Sequence, residues 1–361
     1  MINLKTYILE GSLLDDIDDI LADGDVKVPH ALIQEYLEDN YRGKWTISKR
    51  KDKDGKFIVN SRGEVHHKGN SNRLTNDMFK WGKVKRFIIK FPYHLESLEG
   101  CPREVEEFQC IRTERLKTLE GGPEICKGDY LIQQSNSLES LKGAPKKIGG
   151  NFDCHNCCKL TTLEGGPEEV TYSYRTDACM ALKSLEGGPR YVGTVFDCSE
   201  CHSLESLEGG PEDALHFYCD LCPKLKSLKG APKKIRGSFS ADSTGIETLN
   251  SGIDVVGRNF SVVHCDKLVS LEGAPKLVGD TFDMSNCNNI KSLKGLENTK
   301  IGNDLSLVRC YGLSDMEDII KYTPEVGDMI DMHFGGLSSN SVTDDQIDRL
   351  KNASKAEVIN I

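Results

Sequence analysis

The chain has 361 residues, with 56 acidic and 46 basic side chains and a formal charge of −10. No apolar run approaches the roughly 18 residues of a membrane span, and the N-terminus lacks the basic and apolar regions of a secretory signal. Fourteen cysteines without an export signal argue against a disulfide scaffold and for reduced, mostly buried thiols.

Charge is segregated along the chain. Residues 1–41 carry ten acidic and two basic side chains, and residues 42–90 carry four and fifteen, which leaves −13 for the remainder. Residues 1–43 read as an acidic helical leader. Ser12 caps a helix that places Leu13, Leu14, Ile17, Ile20 and Leu21 on one face, and a second helix begins near Pro29 and buries Leu32, Ile33, Tyr36 and Leu37. This leader is expected either to dock on the following module or to serve as a detachable, partner-binding peptide.

Residues 44–93 read as a basic, β-rich N-terminal cap. Runs 44–49, 56–61 and 64–68 suit short strands of a small antiparallel sheet, with an Asp54-Gly55 turn between the first two. Run 83–91 leads into the repeats. An open first coil exposes apolar edges, so capping is the simplest role for this module. Its charge of +11 also suits nucleic-acid phosphate. The basic residues are dispersed, however, and no RNP or KH motif is present, so nucleic acid is not the expected partner.

Residues 94–311 hold ten copies of a 21- or 22-residue unit. The second leucine of its L-x-[ST]-L core falls at Leu98, Leu119, Leu141, Leu163, Leu185, Leu207, Leu228, Leu249, Leu271 and Leu293. A period held that tightly predicts stacked one-turn coils, each burying its apolar edge against its neighbours. In G-x-[FY]-x-C the alternation suits a strand, with Phe152 and Cys154, Phe196 and Cys198, and Phe217 and Cys219 inward. A ladder position three residues before the next leucine holds Cys157, Cys179, Cys201, Cys222, Cys265, Cys287 and Cys310, or a small polar residue at Thr113, Ser135 and Ser243. Gly-Ala-Pro or Gly-Gly-Pro then turns the chain. Residues 312–361 leave the repeat and read as a C-terminal cap, with helices at 315–321 and, capped by Thr343, at 343–353, and a last strand at 329–334.

The pattern F-x-C-x-x-C-x-x-L-x-x-L followed by G-x-P resembles leucine-rich repeats, especially short bacterial ones with a proline turn. The SLEGAPKxVGGxFxC consensus is similar to repeats of large tailed bacteriophages and gut phages, and the start MINLKTYILEG resembles short leaders of such phage proteins, some of them capsid-targeting signals. The resemblance implies a parallel-stranded solenoid that binds proteins and has no enzymatic activity, located in the host cytoplasm or the virion. With cysteine in the ladder, an asparagine ladder's hydrogen bonding does not follow. The expected fold class is α+β: a leucine-rich-repeat-like parallel β-solenoid with an α+β N-terminal cap.

Three C-x-x-C pairs, Cys154/Cys157, Cys198/Cys201 and Cys219/Cys222, would alone suggest zinc or thiol redox chemistry. Sister coils replace the first cysteine by Thr176, Val262, Met284 or Leu307, which a core position tolerates and a metal site does not. No metal or cofactor is therefore expected. G-x-S-x-G, P-loop and H-E-x-x-H motifs are absent, and His66 and His67 lack acidic partners at a useful spacing, so catalysis is not expected either.

The outward strand positions form the candidate binding face. Their acidic members are Glu107, Asp129, Asp153, Asp177, Asp197, Asp220, Asp242, Asp283 and Asp304, with Arg175 among them. Carboxylates on strands about 4.8 Å apart repel by roughly 0.8 kcal/mol per pair even at water's dielectric, and the repeat itself does not call for acid there. Tyr172, His155, His216, Tyr218 and Leu131 are candidate anchors. The expected function is a monomeric, non-enzymatic module that binds a basic protein surface. The alternatives are a virion structural protein targeted by its leader, and nucleic-acid binding through the cap.

Overall fold

The computed structural model describes residues 27–69, 74–75, 78–333, 335–337 and 342–361. The helix expected after Ser12 lies outside the described residues. The second expected helix is α1 (Lys27–Asn40), which buries Ile33 and Leu37 completely and Leu32 and Tyr36 in part. It begins ahead of Pro29, whose missing N–H falls in the first turn, where no helical bond is needed.

The cap departs from the antiparallel sheet expected for it. The runs at 56–61 and 64–68 form a single strand, and two short strands precede it. These are β1 (Tyr41–Gly43), β2 (Thr46–Ile47) and β3 (Phe57–His67). Only β1 and β2 run antiparallel to β3. On its other side β3 pairs in parallel with β4 (Phe79–Lys90), and β4 with β5 (Glu104–Ile111). Phe57 faces Phe79 and Val65 faces Phe87, an offset of 22 residues that matches the repeat period. The Asp54-Gly55 turn is present, with Gly55 at φ 73° and its N–H donating to the Asp52 carbonyl at 3.1 Å.

From β3 onward one parallel ladder runs through the molecule. In register it aligns Val65, Phe87, Phe108, Tyr130, Phe152, Tyr174, Phe196, Phe217, Phe239, Phe260, Phe282, Leu305, Ile330 and Ile359. Each coil is named below by its residue in this series. From Phe87 to Phe282 successive rings stack or tilt with centroids 4.8–6.5 Å apart. A second ladder, one bend earlier in each coil, buries Ile148, Val170, Val192, Ile235, Val256 and Val278. The leucine pairs close the remaining side and are fully buried from Leu95 to Leu293.

Two left-handed positions bend each coil. One is the first glycine of the Gly-Gly-Pro turn: Gly165 has φ 83°, and a Cβ there would meet the Lys142 backbone at 2.6 Å. The other precedes the ladder cysteine and is not glycine, as at Asn156, Ala178, Glu200 and Leu221, with φ of 56–59°. Its N–H is fixed to the next coil, Asn156 to the Asp177 carbonyl and Ala178 to the Ser199 carbonyl, each at 2.9 Å. In the Phe239 coil this residue is Ser243, expected in the ladder itself. Thr244 occupies the ladder instead, 3.3 Å from Cys265 Sγ, so the residue missing from that coil is missing after the ladder, at Gly245.

At the other end α2 (Met316–Tyr322) is capped by Asp315, and α3 (Asp344–Ser354) by Thr343 in a capping box with Gln346. Arg349 joins the two helices through Glu317 at 2.6 Å. The strand expected at 329–334 is Met329–Asp331, but it is not the last. Val358–Asn360 pairs with it in parallel after α3. The protein is a mostly parallel β-solenoid with an N-terminal helix–strand cap.

Candidate protein-binding face

The ladder cysteines turn inward and act as hydrogen-bond donors. The chain leaves the strand two residues after its ring, and the carbonyl there needs a buried donor. The cysteine of the next coil supplies it: Cys179 Sγ donates to the Cys154 carbonyl at 3.4 Å, Cys201 to Thr176 at 3.3 Å and Cys287 to Val262 at 3.1 Å. Burial pushes the Cys198, Cys201 and Cys219 thiols up and holds Cys222 at about 12. At these four positions burial disfavours the thiolate form. Among the described residues no group of three His, Cys, Asp or Glu is placed to hold a metal.

The outward positions carry side-chain ladders on both sides of the strand. Ahead of the ring, one side chain accepts the backbone N–H of the equivalent residue in the next coil. Asp129 Oδ1 accepts from Asn151 N at 2.8 Å, Asn151 from Ser173 at 3.1 Å, His216 Nδ1 from Ser238 at 3.0 Å, and Asn259 from Thr281 at 3.3 Å. Three residues after the ring a second N–H loses its carbonyl partner as the strands diverge. Asp153, Asp197 and Asp283 accept it from His155, Ser199 and Ser285 two residues on, at 2.9–3.0 Å. Asp220 and Asp242 accept it across coils, from Asp242 at 2.8 Å and Val263 at 2.7 Å.

These bonds revise the expectation that the repeat has no use for acid on this face. The fold needs an acceptor at each place. Asn151 and Asn259 show that a neutral amide meets the same kind of requirement, so the negative charge exceeds what the backbone asks for. Sequence reasoning missed this because the N–H groups concerned become visible only once the divergence of the strands is known.

In the Phe152, Tyr174, Phe196 and Phe217 coils the expected residues converge. Arg175 is in register between Asp153 and Asp197, and Asp197 is opposite Tyr218. The Arg175 guanidinium reaches Asp177 at 3.2 Å. Burial raises the Asp177 carboxyl from its ordinary value, against the pull of Arg175 and reinforced by Asp197. Burial likewise raises Asp220, with the neighbouring charges of Asp242 and Asp197 adding to it. Tyr218 is raised by burial and by Asp197 and Asp220.

The anchors are less uniform. Tyr172 is exposed, while Leu131 and Tyr218 are half-buried. His155 Nδ1 contacts Asp153 at 2.8 Å, and His216 is engaged with Ser238 and stacks on Tyr218 at 6.0 Å, so both imidazoles serve the face itself. Asp304 carries a buried Oδ1 without a hydrogen-bond partner among the described residues. In the cap, Lys80 pairs with Asp52 and Asp54, Lys83 and Lys85 with Glu104 and Glu106, and Arg86 with Glu64 and Glu107. Those cations are thereby engaged with carboxylates of the same chain. No family model and no curated protein matches the chain.

Proposed function

We propose that the protein is a non-enzymatic binding scaffold whose strand face, across the Phe152 to Phe217 coils, receives a basic polypeptide surface. The supporting observation is the surplus of charge. Four successive coils carry Asp153 and Asp197 one residue after the ring, on either side of Arg175, and Asp177 and Asp220 three residues after it, and burial opposes the ionisation of two of them. Neutral acceptors would hold the coil equally well. Charged groups whose ionisation is opposed by burial cluster at functional sites, which favours a binding role for this face.

A cationic partner neutralises the row and recovers the repulsion stored in it, which also steers association. Fluorescence anisotropy with fluorescein-labelled octalysine tests the reading. The expected result is salt-sensitive binding that weakens at least tenfold in the variant Asp153→Asn, Asp177→Asn, Asp197→Asn, Asp220→Asn. Equal affinity of the two proteins contradicts it. The same titration with a labelled oligonucleotide should show no dependence on these four residues. A steep salt slope lost on reversing Lys49, Arg50 and Lys51 would move the function to the cap.

A further inference from the structure

The acidic row is bracketed by exposed apolar side chains, and that pairing specifies the partner further than charge alone. Leu221 follows Asp220 directly and is 47 % exposed. Its equivalent two coils away is Ala178, so Leu221 adds apolar surface to an edge that is otherwise small or polar. Across the strand, in the bend before Tyr174, Tyr172 is 53 % exposed. Asp177, Asp197 and Asp220 lie between these two apolar edges.

Nothing in the coil requires leucine at 221. The backbone there is left-handed, fixed by the Leu221 N–H donating to the Asp242 carbonyl at 2.8 Å, and neighbouring coils place Ala178, Glu200 and Ser243 at the equivalent position. A bulky side chain in that conformation, with half its surface in water, contributes little to folding. Apolar contacts flanking a desolvated charge row are the arrangement that stabilises an interface, by excluding water from its centre.

We propose that the partner segment carries a short cationic run with an apolar side chain on each flank. It lies across the Tyr174, Phe196 and Phe217 coils, its cations on the carboxylates and its flanks against Tyr172 on one edge and Leu221 on the other. The inference rests on the charge reading above and adds the apolar bracket to it.

Two labelled hexapeptides separate the two ideas when titrated against the full chain: four lysines flanked by leucines, and four lysines flanked by serines. The leucine-flanked peptide is expected to bind at least tenfold more tightly. The double variant Leu221→Asn, Tyr172→Ser should remove that preference, bringing the two peptides within twofold of each other. Equal affinities on the wild-type protein, or a preference that survives in the double variant, overturn the apolar bracket while leaving the charge reading in place. Binding of neither peptide overturns both.

Discussion

Residue 174 shows how closely a single side chain fits its coil. Its ring is fully buried in the aromatic ladder, yet its hydroxyl has no hydrogen-bond partner among the described residues. The second glycine of the Gly-Gly-Pro turn makes room for that hydroxyl: a Cβ on Gly166 would lie 3.3 Å from Tyr174 Oη and 3.0 Å from the Leu163 carbonyl. Tyr130 and Gly122 repeat the arrangement. Tyr174→Phe should therefore raise stability by about 1 kcal/mol, because it removes a buried polar atom without opening a cavity. Gly166→Ala should lower it. Chemical denaturation of both variants checks this, and a destabilised Tyr174→Phe would mean the hydroxyl is satisfied.

Cysteine is a second case at the same scale. Because Cys201 Sγ donates to the Thr176 carbonyl, Cys201→Ala should lose about 1–3 kcal/mol in urea melts by leaving that carbonyl buried and unpaired. That the thiols are buried was legible from Val262, Met284 and Leu307 at sister positions. Their role as donors was not, since it depends on where each carbonyl leaves the sheet.

Among the elements, β3 was the least legible from the sequence. Its two halves read as separate strands because Arg62-Gly63 interrupts the apolar alternation, but the parallel partner β4 carries the strand through with a shift of register. His67, near its end, is buried edge-on to Tyr41 at 5.2 Å and accepts the Gly69 N–H on Nδ1. Burial lowers its pKa from 6.5 to about 4. The depressed value fixes the sign: the neutral ring is favoured in the fold, so its full contribution is present above pH 6.5. It is lost as pH falls toward 4, by roughly 3 kcal/mol. Thermal melts from pH 7 to 4 should show a steeper acid loss for the wild type than for His67→Gln. Parallel curves would contradict the buried neutral ring.

The helices were easier. The Thr343 cap is local chemistry and was visible as such, and Asp315, read as the first residue of its helix, proves to be the N-cap; the strand after α3 has no repeat signature and depends on a ladder edge supplied from elsewhere in the chain.

For the molecule as a whole, the repeat period alone was enough to predict a solenoid, since burying a Phe and two Leu at fixed spacing leaves stacking as the way to hide them. The order of near-identical coils needs a further device. Successive coils alternate in sign at the residue after the turn proline, or after Ile253 where that proline is replaced: Arg103, Glu124, Lys146, Glu168, Arg190, Glu212, Lys233, Asp254 and Lys276. Adjacent members pair, Arg103 with Glu124 at 2.7 Å, Lys146 with Glu168 at 3.2 Å and Lys276 with Asp254 at 2.8 Å. Each exposed pair contributes little, but a slip by one coil would set like charges against each other along the column. Lys146→Glu should lower the melting temperature at low salt, with the loss disappearing at high salt.

The strand face needs acceptors and carries charge beyond that need. Asp177 and Asp220, raised by burial, are favoured in their protonated form by the fold, so their contribution is lost as pH rises through the carboxylate range and they weigh against stability at pH 7. The deciding measurement is the unfolding free energy at pH 7 of the Asp153→Asn, Asp177→Asn, Asp197→Asn, Asp220→Asn variant. The expected value equals or exceeds that of the wild type, because the amides keep the bonds to His155, Ser199 and Asp242 and remove the repulsion. A loss of more than about 2 kcal/mol would show that the carboxylates themselves hold the coil together, and the charge would then need no partner to explain it.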